Sequence, residues 1–119
     1  MPFIALLGEL ISSVEGAESA IIMDASGEAV QWQSNGDGEQ LRLRAAYVAV
    51  VFQNCKTAAR NLELGRMNRL VVEYDGASFI LEEIEGDYLV AIELNYSASI
   101  SEALVLIQPV LAKLRQAIS

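Results

Sequence analysis

The residue types that most often carry catalysis are scarce in this chain of 119 residues. It contains no histidine and a single cysteine, Cys55. Without histidine there is no Ser-His-Asp triad, Cys-His dyad or histidine-ligated metal. One cysteine forms neither an internal disulfide nor a Cys-rich zinc site. The sequence therefore predicts a protein that is not an enzyme and binds no metal or cofactor, with a buried, inert Cys55 thiol.

The densest group of titratable side chains surrounds one predicted turn. It consists of Glu82, Glu83, Glu85 and Asp87. Paired carboxylates can perform acid/base catalysis or bind a cation. Charges clustered around a turn are more often solvated than functional. We therefore predict a hydrated acidic hairpin here.

Charge and composition restrict the partners of the protein. The chain has 8 basic and 16 acidic residues, a net charge of −8 that repels phosphate backbones and argues against nucleic acid. Hydrophobic residues make up 53% of the chain. A domain of this size has much surface for its volume, so this apolar excess predicts that a second chain buries part of it.

The same composition argues against a membrane protein. The longest uncharged runs, Ala45–Cys55 and Ala103–Ala112, are shorter than the ~18 apolar residues that span a bilayer. The N-terminus has no basic segment, and its apolar run stops at Glu9, which does not resemble a signal peptide. Together with the single cysteine, these features predict a cytoplasmic protein.

Hydrophobic periodicity predicts eight elements in one domain over residues 1–119. The predicted helices are Pro2–Glu15, Gln40–Leu64 and Ile100–Ile118, and the predicted strands are Ala17–Asp24, Ala29–Gln33, Arg66–Tyr74, Ser78–Ile84 and Tyr88–Asn95. The order is α-β-β-α-β-β-β-α. Short turns between neighbouring strands predict a mainly antiparallel five-stranded sheet, and strands apolar on both faces predict helices on both sides, an α/β (α+β) sandwich.

Helix boundaries follow from individual residues. We expect Gly65 to end the second helix and Ser99 to cap the last one, three residues before Glu102. Pro109 lies inside the last predicted helix and should kink or divide it, because it lacks a backbone donor.

The second predicted helix is apolar on two sides. At ~100° per residue, one side gathers the sheet-facing stripe Leu41, Ala45, Val48, Phe52, Cys55, Ala59 and Leu62. The opposite side, called here the outer face, gathers Leu43, Ala46, Tyr47, Val50, Val51, Thr57, Ala58 and Asn61. A helix that only covers its own sheet should be polar there. The outer face therefore predicts a partner, and the small side chains of Ala46, Ala49 and Ala58 would let another helix approach closely.

The order and spacing of these elements resemble the roadblock family, also called the dynein light chain roadblock type. The matching segments are Gly16–Gly27 for the first hairpin, Ala45–Gly65 for the long helix, Arg66–Asp75, Ser78–Ile84 and Tyr88–Asn95 for three strands, and Ser99–Ile118 for the last helix. The resemblance covers nearly the whole chain, and it is to a bacterial MglB-like member of the family. It implies a roadblock/profilin-like fold without catalytic activity.

The resemblance also implies partners. Roadblock domains form dimers in which the second helices lie side by side and the third strands pair edge to edge. MglB-like members bind small Ras-like GTPases. Carried onto this chain, the interface comprises Leu43, Ala46, Tyr47, Val50, Val51, Asn54, Ala58, Arg69, Val71 and Glu73.

Two functions from different classes follow. The first is a homodimeric regulator or scaffold of a small Ras-like GTPase that supplies no catalytic side chain. The alternative is a small-molecule sensor with a pocket between sheet and helix. A dry core beside a large apolar face would favour the scaffold, and a pocket rich in convergent polar groups would favour the sensor.

Overall fold

The computed structural model describes residues 3–118. In chain order the elements are α1 (Phe3–Ser13), β1 (Ala17–Met23), β2 (Ala29–Ser34), α2 (Gly38–Asn61), β3 (Arg69–Glu73), β4 (Ala77–Ile84), β5 (Tyr88–Asn95), α3 (Ile100–Leu106) and α4 (Gln108–Ile118). The predicted order is confirmed, and the last predicted helix is divided in two. The predicted helix start at Pro2 lies outside the described residues.

The five strands form one sheet in the order β2-β1-β5-β4-β3. Every neighbouring pair is antiparallel, as predicted. The central contact joins strands far apart in sequence, with Ile21 opposite Ala91. Because the order places β3 last, one side of this five-residue strand has no neighbour in the sheet.

Helices cover both faces of the sheet, which confirms the predicted sandwich. On one face α2 packs over a core that includes Phe52, Phe79 and Leu81. On the other face α1, α3 and α4 enclose a separate core that includes Leu7 and Ile80. Two independent cores explain why most central strand residues are apolar on both sides.

The first hairpin is fixed by a carboxylate in its turn. Asp24 accepts hydrogen bonds from the Ser26 hydroxyl at 2.6 Å and from the backbone N–H groups of Ser26 and Glu28, each at 3.0 Å. The Ser26 hydroxyl, together with those backbone donors, lowers the pKa of Asp24 below its ordinary value, because they stabilise the charged form. The turn predicted from the sequence is thus stabilised by hydrogen bonds to the side chain of Asp24.

Both ends of α2 differ from the prediction, because the helix begins at Gly38 and not at Gln40, and ends at Asn61 and not at Leu64. Asp37 caps the start by accepting from the backbone N–H of Glu39 at 2.9 Å. At the other end, Glu63 adopts a left-handed φ of 55°, and the N–H of Leu64 donates to the carbonyl of Ala59 at 2.9 Å. This pattern is a Schellman motif with glutamate in the glycine position. The prediction that Gly65 ends the helix is therefore wrong by two residues.

The C-terminal helices meet at Ile107, just before Gln108 and Pro109. The missing proline donor and the clash of its ring with the preceding turn account for the break. The Ser99 hydroxyl accepts from the N–H of Glu102 at 3.3 Å, which confirms the predicted cap.

Candidate interaction surface

The inner side of α2 closes over the sheet only along its first half. Leu41, Ala45, Val48 and Phe52 are buried as predicted, and Ala49 joins them at 2% exposure. The expectation that Ala49 faces a partner helix is thus wrong. The predicted stripe also fails after Phe52: Cys55 is exposed and Leu62 is 68% exposed. The last two turns of α2 extend beyond the packed core, so the thiol is not buried.

The outer face is open to solvent. The exposed fractions are 70% for Tyr47, 56% for Val50 and 45% for Val51. Leu43, Asn54 and Ala58 are also exposed, whereas Ala46 is half-buried beside the β1–β2 turn. A monomer would thus leave the large apolar side chains of Leu43, Tyr47, Val50 and Val51 in water, which is unfavourable without a partner.

The free edge of β3 lies at the end of the sheet. Arg69 and Glu73 are exposed and Val71 is half-buried. Val71 packs with the α1–α3–α4 core, whereas Leu70 and Val72 pack with the α2 core. The three predicted interface residues of β3 therefore face away from α2, whereas Leu70 and Val72 face towards it. Which residues of β3 face α2 depends on the register of β3 with β4.

Two tyrosines connect the edge strand with the helix. Tyr47 and Tyr74 line an open groove of about 390 Å³ whose other walls include Val48 and Phe79. Tyr74 is 58% exposed. The groove joins the outer face of α2 to Tyr74, just after β3, in one largely apolar surface.

The arginines beside this surface are held by neighbouring side chains. Arg44 donates two hydrogen bonds of 2.9 Å, from Nε and Nη2, to the buried carboxylate of Glu93. The guanidinium of Arg42 lies 4.7 Å from the ring centroid of Trp32. A bidentate ion pair and a cation–π contact restrain both groups, so neither projects freely across the outer face.

The predicted solvated acidic hairpin is wrong for two of its four residues. Glu82 is 3% exposed, and its carboxylate lies 3.3 Å from Arg69, 3.5 Å from Arg115 and 3.1 Å from the Gln108 amide nitrogen. Glu83 points to the other side of the sheet and pairs with Lys56. Only Glu85 and Asp87 lie in the exposed turn. Consecutive strand residues face opposite sides, which sequence clustering does not reveal.

The region between α2 and the sheet does not resemble a ligand pocket. Phe52, Leu81 and Leu89 have no exposed surface there, and their side chains fill the space. A polar cleft of about 250 Å³ lies instead at one end of the sheet, where Arg44 pairs with Glu93 and the Asn95 amide donates to Glu18 at 2.8 Å. These groups satisfy one another, so the sensor alternative gains no support.

The described residues contain neither a metal-binding cluster nor a membrane-spanning helix. Between Phe3 and Ile118 no group of three or more His, Cys, Asp or Glu side chains is arranged to hold a metal ion. Over the same range, none of the helices combines the length and apolar character needed to cross a membrane.

Several solved structures share the fold of this chain. A Roadblock/LC7 domain from Streptomyces avermitilis superposes with a TM-score of 0.86 at 16% identity, covering 97% of this chain and 96% of that one. MglB from Myxococcus xanthus gives 0.86 at 11% identity, covering 99% and 95%. An MglB with a tetrameric arrangement gives 0.82 at 16% identity, covering 95% and 85%. Such low identities establish the fold alone.

A search of curated proteins finds no match to this chain. The model of the Roadblock/LC7 domain matches residues 4–93, which span α1 to all but the end of β5. That range contains the whole of α2, its outer face and the β3 edge. The chain therefore belongs to the Roadblock/LC7 family.

Proposed function

We propose that this protein is a cytoplasmic homodimer that regulates or scaffolds a small Ras-like GTPase and contributes no catalytic side chain. The observation that carries the proposal is the apolar outer face of α2 beside the free edge of β3. In this family such a surface is expected to pair with a second copy. The partner class comes from the resemblance to MglB-like members.

The residues of the outer face suit an antiparallel pair of α2 helices. If the two-fold axis passes between Val50 and Val51, Tyr47 lies opposite Asn54 of the partner subunit. Leu43 then lies opposite Ala58 of the partner subunit. Large side chains thus meet smaller ones, as a self-complementary interface requires.

The edge strand has a similar symmetry. Antiparallel pairing of two β3 strands about Val71 places Arg69 opposite Glu73 of the partner subunit, so opposite charges meet across the axis. The centre of the helix pair, between Val50 and Val51, and the centre of the strand pair, at Val71, are compatible with a single two-fold axis. The reason is that α2 runs antiparallel to β3. Tyr47 lies near Tyr74 at one end of the pair, and Arg60 lies near Met67 at the other.

The dimer would present two adjacent α2 helices to the GTPase. Arg42 and Arg44, which flank the outer face, are engaged with Trp32 and Glu93 and do not supply a free arginine finger. Any stimulation of GTP hydrolysis would then come from ordering of the switch loops of the GTPase. Substitution Arg42→Ala should leave the rate of GTP turnover in the complex unchanged.

Assembly and partner are tested separately. Sedimentation at micromolar concentration should show a dimer, because the joined surfaces should bury more than ~1,200 Å² in total. A small Ras-like GTPase from the same genome, loaded with GDP or with a GTP analogue, is then titrated with the dimer. Preference for one nucleotide state supports the regulator. A monomer in the first experiment overturns the dimer, and no binding in either state overturns the partner.

A further inference from the structure

Basic residues are concentrated in one short stretch of this acidic chain. Positions 56–69 hold four of the 8 basic residues and only one of the 16 acidic residues. They run from the last turns of α2 to the first residue of β3. The remaining positions contain four basic and fifteen acidic residues, so the charge of this stretch opposes that of the rest.

Three of these cations line one groove. Lys56, Arg60 and Arg66 surround an open cleft of about 490 Å³ beneath the end of α2, with Ala59 and Met67 as its apolar walls. Glu63 is the carboxylate of its lining. The groove therefore combines positive charge with apolar surface.

The cations of the groove are only partly neutralised. Glu83 pairs with Lys56 and lies 3.9 Å from Arg66, whose side chain is 76% exposed. Arg60 forms no side-chain hydrogen bond or ion pair with another described residue. One carboxylate thus serves two cations, and a guanidinium group is left for an external acceptor.

Two leucines near the groove residues in sequence are exposed but do not line the groove. Leu62 is 68% exposed and Leu64 is 72% exposed, on the loop that follows α2. The sequence pattern assigned Leu62 to the core, yet the structure leaves it exposed at the C-terminal cap of α2. Neither leucine belongs to the core clusters of the described chain.

We propose that this groove binds an acidic segment of a partner protein that carries apolar side chains between its carboxylates. The guanidinium groups of Arg60 and Arg66 are suited to carboxylates, and Ala59 and Met67 to the apolar side chains. A membrane surface or a nucleic acid is a broad polyanion and would also face the acidic remainder of the chain. A narrow segment that stays within the groove avoids that repulsion. Its carboxylates are separated from the acidic remainder of the chain, and charges more than ~8 Å apart are largely screened.

The site is separate from the proposed dimer surface. Lys56 and Arg60 leave α2 on the flank opposite Val51 and Ala58, as the ~100° advance per residue requires. Binding at the groove can therefore be measured whether or not the chain forms a dimer.

The experiment measures the fluorescence anisotropy of a labelled peptide of alternating glutamate and leucine. Wild-type protein should bind it saturably, and more weakly as salt is raised. The double variant Arg60→Glu/Arg66→Glu should weaken binding about tenfold or more, because it removes two cations and adds two like charges. Circular dichroism on the same samples verifies that the fold is kept.

A charge-matched variant separates the groove from the net charge. Arg42→Glu/Lys113→Glu changes the total charge equally at distant positions, and it should change the dissociation constant by less than about threefold. Equal weakening by both double variants would overturn the proposal, as would a wild type that does not bind the peptide. Loss of binding to phosphatidylserine vesicles in the groove variant, with peptide binding unchanged, would assign the surface to membranes and also overturn it.

Discussion

The two long sides of α2 are similarly apolar, but they have opposite environments. Phe52 on the inner side is fully buried, whereas Val50, two residues earlier, is 56% exposed. The inner side owes its burial to the sheet beneath it, and none of the described residues 3–118 covers the outer face in the same way. The comparison shows that apolar character predicts a contact but does not say which chain provides it.

The inner side also changes along its length. Burial stops at Phe52, although the helix continues to Asn61. The following turns carry Lys56, which pairs with Glu83 of β4, and Arg60, which lies beside the loop to β3. One helix thus has a structural half and a half that is available for charged interactions.

The largest expected effect is on the inner side. Phe52→Ala should lower the free energy of unfolding by about 3–5 kcal/mol, because it empties a site between α2 and the sheet. Leu62→Ala, at the position wrongly assigned to the same stripe, should cost less than about 0.5 kcal/mol. Urea midpoints at one protein concentration measure both, and equal losses would show that the helix is rotated from the orientation described.

The next effect tests the outer face. Val50→Glu should weaken the proposed dimer by at least about 100-fold, since two carboxylates would meet near a two-fold axis with few donors. The helicity of the protomer should be retained, because Val50 does not contact the core. Ala112→Glu adds the same charge at an exposed position of α4 and should leave sedimentation unchanged. A variant at Val50 that stays dimeric would remove this face from the interface.

A smaller effect is expected at the buried carboxylate of β4. Glu82→Gln should lower stability by about 1–3 kcal/mol, because Arg69 and Arg115 lose their charged acceptor. Glu85→Gln, in the exposed turn, should have almost no effect. Denaturation of both variants checks the assignment, and similar stabilities would support the solvated hairpin predicted from the sequence.

The smallest effect lies at the end of α2, where neither side is covered. Glu63→Gly should raise stability by about 0.5–1 kcal/mol, because glycine adopts the left-handed conformation without steric cost. Glu63→Ala keeps a Cβ atom at the same φ and should bring no comparable gain. Thermal unfolding distinguishes them, and a destabilised glycine variant would contradict the Schellman assignment.

The sequence by itself determined the order of the elements, the sandwich, the capping residue Ser99 and the break near Pro109. These features depend on local properties: hydrophobic periodicity, turn chemistry and the missing proline donor. The existence of an apolar outer face was predictable for the same reason, because it needs only the angular position of each residue on the helix. Strand Tyr88–Asn95 was predicted with its observed bounds.

Only the tertiary structure decided where each side chain faces. Whether Cys55 and Leu62 are buried depends on where the sheet ends beneath α2, and no local pattern encodes that distance. The separation of Glu82 from Glu83 depends on the register of β3 with β4, which sets Arg69 opposite Glu82. The basic groove likewise forms because the chain folds Arg66 back towards Arg60 and Lys56. These contacts depend on how whole helices and strands pack together. Their physical cause is therefore the assembled sheet and helix, and not any local sequence pattern.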